Sequence, residues 1–156
     1  QPYGTEALST LRIEMGHVAG SELDGRTIPY DNALEGLLSK KKDFIGKRSL
    51  QREAFVAEDR QRIVDVIPLD KKTSIPEGSH LVKDANAPLP NKKLGHISAS
   101  CWSVEHDNPF SLAILKDGKN MIGEKLFVMS PLKNKVIPVE IVSSHYVDPK
   151  GERVRS

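Results

Sequence analysis

The sequence holds one cysteine, Cys101, in 156 residues. No intrachain disulfide can form, so the fold rests on packing, and the composition suits a reducing, cytoplasmic setting. Long apolar runs are also missing. The longest are about four residues, such as Leu112–Leu115, where a membrane span needs roughly 18 or more. Charge of one sign is missing too. Lys+Arg 23 against Asp+Glu 21 leaves a net +2, and a sequence pI near 8.6 falls short of the clustered basic footprint of a nucleic-acid binder. No basic and apolar leader opens the chain, and it begins at Gln1 rather than Met, as expected where something upstream was removed or where the chain is a piece of a longer protein. No Gly-rich dinucleotide fingerprint follows a strand, and no phosphate-binding loop is present. The apolar content, 38 %, is lean but sufficient for a core, and 28 % charged residues is ordinary, so disorder is not expected.

What is present divides the chain in two. In residues 1–57, Thr5 to Met15 sets Ala7, Leu8, Leu11 and Met15 at helical spacing, with Thr5 as N-cap. The stretch from Gly16 to Pro29, with Gly16, Gly20 and Gly25, reads as a loop. Leu34, Leu37 and Leu38 fit a helix face, but Gly36 costs about 1 kcal/mol there, which leaves a short strand in contention. Asp43 is placed to cap a helix running to about Phe55, with Leu50 and Ala54 facing inward. Residues 60–156 give six strands: Arg62–Leu69, His80–Lys83, Gly95–Val104, Phe110–Lys116, Lys125–Ser130 and Lys135–Ser144. Between them lie turn residues such as Pro76-Glu77-Gly78, Asp107-Asn108-Pro109, Asp117-Gly118 and Lys133-Asn134. This punctuation predicts a small antiparallel barrel or sandwich, with Pro138 demoting the last strand to an edge or a bulge.

Few side chains suggest chemistry on their own. No pair among His17, His80, His96, His106 and His145 has the close spacing typical of a zinc site, and surface or loop positions are the simple reading. Cys101, His106 and Asp107 are close in sequence, but on one strand and its turn the thiol and imidazole lie about 15 Å apart, so Cys101 reads as a buried structural thiol. Lys40-Lys41-Lys42 with Lys47-Arg48 is a solvated basic face or a seat for an anionic ligand tail. Glu14 follows an apolar helix and precedes a Gly-rich loop, where a carboxylate faces either a pocket or a surface salt-bridge partner.

A family resemblance changes that reading. Tyr3-Gly4-Thr5-Glu6-Ala7-Leu8 leading into Leu11-Arg12-Ile13-Glu14 resembles the "LRxE" helix of the glycine-cleavage T-protein (aminomethyltransferase) superfamily. Asp43-Phe44-Ile45-Gly46-Lys47-Arg48-Ser49-Leu50 resembles its "DFIGRxAL" motif, and Gly95–Ser100 with Ser111–Ile114 its last strand pair. Within the superfamily, Gly16–Gly20, Leu23–Thr27, Ser100-Cys101-Trp102-Ser103 and His145–Arg153 are similar to the C-terminal end of the α subunits of heterotetrameric sarcosine oxidases. Val104–Pro109 departs from the family's shorter turn.

The resemblance implies an α+β chain: residues 1–57 as the incomplete end of a T-protein-like α/β folate-binding domain, then residues 60–156 as a small antiparallel β-barrel domain. It implies a part in passing the one-carbon unit of oxidised sarcosine to tetrahydrofolate, with a non-catalytic folate-binding or subunit-assembly module as the alternative. Glu14 maps onto the glutamate that grips the pterin. No residue here matches the family's catalytic aspartate, and flavin and NAD belong to other parts of the parent complex, so this segment alone is expected to be inactive. Expected partners are other subunits of a sarcosine oxidase complex, or a second copy, meeting exposed apolar surface at Leu8, Leu11, Leu34 and Leu37; neither nucleic acid nor membrane is expected.

Overall fold

A computed structural model describes every residue except Gln1, Pro88, Leu89, Tyr146 and Ser156, and the backbone alone at Arg153 and Val154. The turn residues cut the second part of the chain into six strands: β1 Gln61–Pro68, β2 His80–Val82, β3 Gly95–Ser103, β4 Asn108–Lys116, β5 Lys125–Ser130 and β6 Lys135–Val142. Asp107, Asp117 and Asn134 take positive φ at the reversals, a conformation their short polar side chains tolerate. All pairings are antiparallel and close into a barrel in the order β1-β4-β3-β2-β5-β6. The expected barrel is therefore present. Its interior is filled by Val64, Val66, Leu81, Ile97, Leu115, Val128, Val139, Ile141 and their neighbours.

Pro138 does not make β6 an edge, because β6 pairs with both β5 and β1. The ring is tolerated because Pro138 sits where the ladder to β1 runs out: its C=O accepts the Leu69 N–H at 3.0 Å, just past the end of β1. The N–H that proline lacks would have returned the bond to the Leu69 C=O, so only the terminal bond of that ladder is lost.

Strand burial shows what covers the barrel. On β6, inward Ile137, Val139 and Ile141 alternate with exposed residues. By contrast β4 is buried on both faces up to Leu115, and β1 from Ile63 to Pro68. Their outer faces lie under the N-terminal part of the chain, where Ile13 joins Ile63, Ile67, Ala99, Phe110 and Leu112 in a second apolar cluster. Burying Ile13 there is worth about 1.5–3 kcal/mol.

The N-terminal part contains α1 Thr5–Glu14, a short α2 Glu53–Val56 and 3-10 turns at Glu35–Leu37 and Ser49–Gln51; α3 Glu152–Arg155 follows the barrel. Three expectations need correction. Gly4, not Thr5, is the N-cap of α1, and no side chain caps it. No helix runs from Asp43 to Phe55. Gly46 turns left-handed at φ +94 and Arg52 is extended, so the backbone breaks twice, and Ala54 is exposed rather than inward. Around Leu34–Leu38 the chain forms a single 3-10 turn, neither strand nor α-helix.

The stripe Ala7, Leu8, Leu11 is also on the far side of α1. Leu8 and Leu11 are 53 % exposed, whereas Ile13 and Glu14 face the barrel. Leu37 is exposed and Leu34 half-buried.

Candidate functional site

Glu14 is the last residue of α1. The helix stops there because Gly16 adopts φ +66 and closes the paired bonds of a glycine C-terminal cap. The His17 N–H donates to the Arg12 C=O at 2.8 Å, and the Gly16 N–H to the Ile13 C=O at 3.0 Å. A Cβ at Gly16 would lie 1.6 Å from the Ser144 carbonyl oxygen, so only glycine lets the end of α1 approach the segment after β6 this closely.

The other half of the site comes from β3. In a regular strand Ile97, Ala99, Cys101 and Ser103 would share one face. A register shift between Ile97 and Ala99 breaks that parity. Ile97 points into the barrel, while Ala99 and Cys101 join the outer cluster beneath α1. Ser103, in phase with them, is fully buried, and its Oγ donates to Glu14 Oε1 at 2.7 Å. The same Oγ accepts the His106 N–H at 3.2 Å, tying down the turn between β3 and β4.

Glu14 is 7 % exposed at the floor of an open cleft of about 350 Å³, walled by Leu11, Met15, Val104, Glu105, Val147 and Asp148. Among the described residues, Ser103 is its one hydrogen-bond donor. Two costs meet at this carboxyl group: it is buried with few donors, and it lies at the negative end of the helix dipole. Such local conflicts concentrate where a residue serves function rather than stability.

Glu22 is the structural counterexample. It is fully buried, but Ala19 N–H and Ser21 Oγ each donate to it at 2.8 Å, and Arg12 Nη1 lies at 3.4 Å. Burial pushes its carboxyl up. The Ser98 hydroxyl, the Ala19 N–H, the Ser21 hydroxyl and the Arg12 charge outweigh that and hold it below the ordinary value.

Cys101 is half-buried on β3. Burial, then the charges of Glu14 and Asp65, push its thiol up to about 12. At pH 8 roughly one thiol in 10⁴ is then ionised. Alkylation of the native protein by iodoacetamide at that pH is expected to run about 10³-fold slower than in denaturant, as mass spectrometry of the Cys101 peptide would show. A native rate near the denatured one would contradict this environment.

His80 lies opposite His96 across β2 and β3, and His17 and His145 line one cleft, so the histidines meet only in twos. Among the described residues no group of three or more His, Cys, Asp or Glu could hold a metal ion. Lys40, Lys41, Lys42 and Arg48 are exposed, around an Ile45 that projects fully into solvent. The role of Ser103 was missed in the sequence because it depends on the register shift; its position beside Trp102 in a family-like motif was the one available signal.

The six-strand barrel with α1 across its outer face is a fold found in part of aminomethyltransferase T. The chain superposes on that glycine-cleavage protein from Bartonella henselae with a TM-score of 0.67 at 19 % identity, covering 91 % of this chain and 38 % of the other. It is 24 % identical over 142 residues to an aminomethyltransferase of Thermosipho melanesiensis, covering 90 % of this chain and 36 % of the relative. No family model matches the sequence. Over 155 residues the chain is 40 % identical to the sarcosine oxidase α subunit of Rhizobium meliloti and 38 % identical to that of a Corynebacterium species. Each match covers nearly all of this chain but 16 % of the relative's length. Over nearly its whole length the chain is similar to a portion of the sarcosine oxidase α subunits and, more distantly, to the aminomethyltransferases.

Proposed function

We propose that this chain is part of the folate-dependent one-carbon-transfer region of a sarcosine oxidase α subunit, and that Glu14 binds the pterin ring of tetrahydrofolate. The observation that carries the reading is the placement of Glu14: buried, poorly supplied with donors, and open to a cleft. A pterin edge presents two adjacent N–H donors, and a carboxylate is a two-oxygen acceptor that matches them. Leu11, Met15, Val104 and Val147 offer apolar walls to the faces of a flat ring. About 350 Å³ is at the small end of ligand sites, room for the pterin head alone. The glutamyl tail and the transferred carbon then lie against other parts of the protein, which fits a reading of residues 1–57 as the end of a folate-binding domain and of residues 60–156 as the barrel domain behind it. Titration of the assembled protein with tetrahydrofolate, before and after Glu14→Gln, tests the reading.

A role in assembly is favoured by a separate observation. Tyr3, Leu8 and Leu11 are exposed on or just before α1, with Trp102 and Val104 exposed at the end of β3. Apolar surface of this kind marks an interface when it is contiguous. We assign it to contact with a neighbouring subunit of the complex or a second copy of the chain. Leu8→Ser with Leu11→Ser is expected to weaken that contact about tenfold or more, read as dissociation in sedimentation velocity, with the barrel still folded by circular dichroism. Unchanged assembly would remove the role.

A further inference from the structure

We infer that Ser103 is the positioning residue for the Glu14 carboxyl group. The inference rests on the proposed pterin-binding role of Glu14 and deepens it. Ser103 is fully buried at the last position of β3. Its oxygen already accepts the His106 N–H at 3.2 Å, which occupies one lone-pair direction and leaves the hydroxyl hydrogen for Glu14 Oε1, 2.7 Å away. One hydroxyl thus occupies one lone-pair direction of Oε1 and leaves the second direction of that oxygen, and all of Oε2, for a ligand. The pair spans 89 residues and joins α1 to a paired strand. Rigid elements therefore set the orientation of the acceptor before any ligand arrives, and preorganisation of this kind raises affinity by removing an ordering cost. The His106 bond also couples that orientation to the Val104–Asp107 turn, whose Val104 and Glu105 wall the cleft.

Four forms of the assembled protein test this: native, Ser103→Ala, Glu14→Gln and the double variant, each titrated with tetrahydrofolate and each followed for sarcosine-driven flavin reduction. Ser103→Ala is expected to weaken tetrahydrofolate binding about 5- to 10-fold. In the Glu14→Gln background the same change is expected to cost less than about 2-fold, because a residue that acts through Glu14 has nothing left to position. Flavin reduction by sarcosine serves as the check that each form is folded and assembled. Equal losses in both backgrounds would show a merely structural serine and overturn the inference. So would a native affinity in Ser103→Ala while Glu14→Gln binds weakly, and that outcome would leave the Glu14 reading standing. Native affinity in Glu14→Gln would overturn the Glu14 reading, and this inference with it. If Ser103→Ala fails to fold, Ser103→Cys keeps nearly the volume with a much weaker donor and is expected to show the same non-additive loss.

Discussion

Glu14→Gln in the assembled protein is expected to weaken tetrahydrofolate binding by about 30- to 150-fold, the loss of roughly 2–3 kcal/mol of charge-assisted hydrogen bonding. The amide is nearly isosteric, but it turns one acceptor into a donor that meets the donors of the pterin edge. Thermal stability should move the other way or not at all. The native carboxyl group is buried at the wrong end of a helix dipole with one donor among the described residues, so neutralising it removes a cost. Lower affinity with equal or higher melting temperature is the signature of a residue kept for function at the expense of stability. Calorimetric titration and a melting curve on the same samples measure both. Falling stability with native affinity would mark Glu14 as a structural carboxylate like Glu22, and would sink the proposed site.

Arg60→Ala carries the largest expected stability effect. Asp31 is 1 % exposed, and Arg60 holds it from two sides, Nε at 2.8 Å and Nη2 at 2.6 Å. The Ile28 N–H adds a bond at 3.1 Å, and the Asp31 C=O accepts the Ile63 N–H at 2.6 Å. The same guanidinium donates to the Ala54 C=O and lies over the Phe55 ring. One side chain thus clamps the loop at 28–31, α2 and the start of β1 together. Its bond with Asp31 raises the Arg60 guanidinium above its ordinary value, although burial opposes it. Truncating it leaves a buried carboxylate without its partner, at about 3–5 kcal/mol. For a domain of this size that is a fall in melting temperature of roughly 6–20 °C. Asp31→Asn in the Arg60→Ala background should recover part of the loss, since it removes the stranded charge. A fall below about 2 °C would show that water or another cation reaches Asp31.

Much of the barrel was legible because strands and turns are local. The Asp117-Gly118 and Lys133-Asn134 punctuation depends on a few consecutive residues, and all six strands form close to their expected bounds. The ordered motifs likewise identified the relatives from short segments. The expected Asp43 helix failed because Gly46 and Arg52 interrupt what a cap and two inward residues had suggested. The apolar stripe of α1 was real, yet its periodicity could not show whether Leu8 and Leu11 or Ile13 and Glu14 meet the barrel.

The sequence by itself determined the six strands and their antiparallel class, the relatives and the candidacy of Glu14, since each follows from residue chemistry within short windows. Tertiary structure alone decided the ring order β1-β4-β3-β2-β5-β6, the exposure of α1's stripe and the meeting of Glu14 with Ser103. The physical reason is parity and distance. One extra residue between Ile97 and Ala99 reverses the face of everything after it on β3, and no pattern in residues 95–103 announces that shift. The contact it creates lies between residues 89 positions apart, held in place by the packing of a whole helix on a closed sheet.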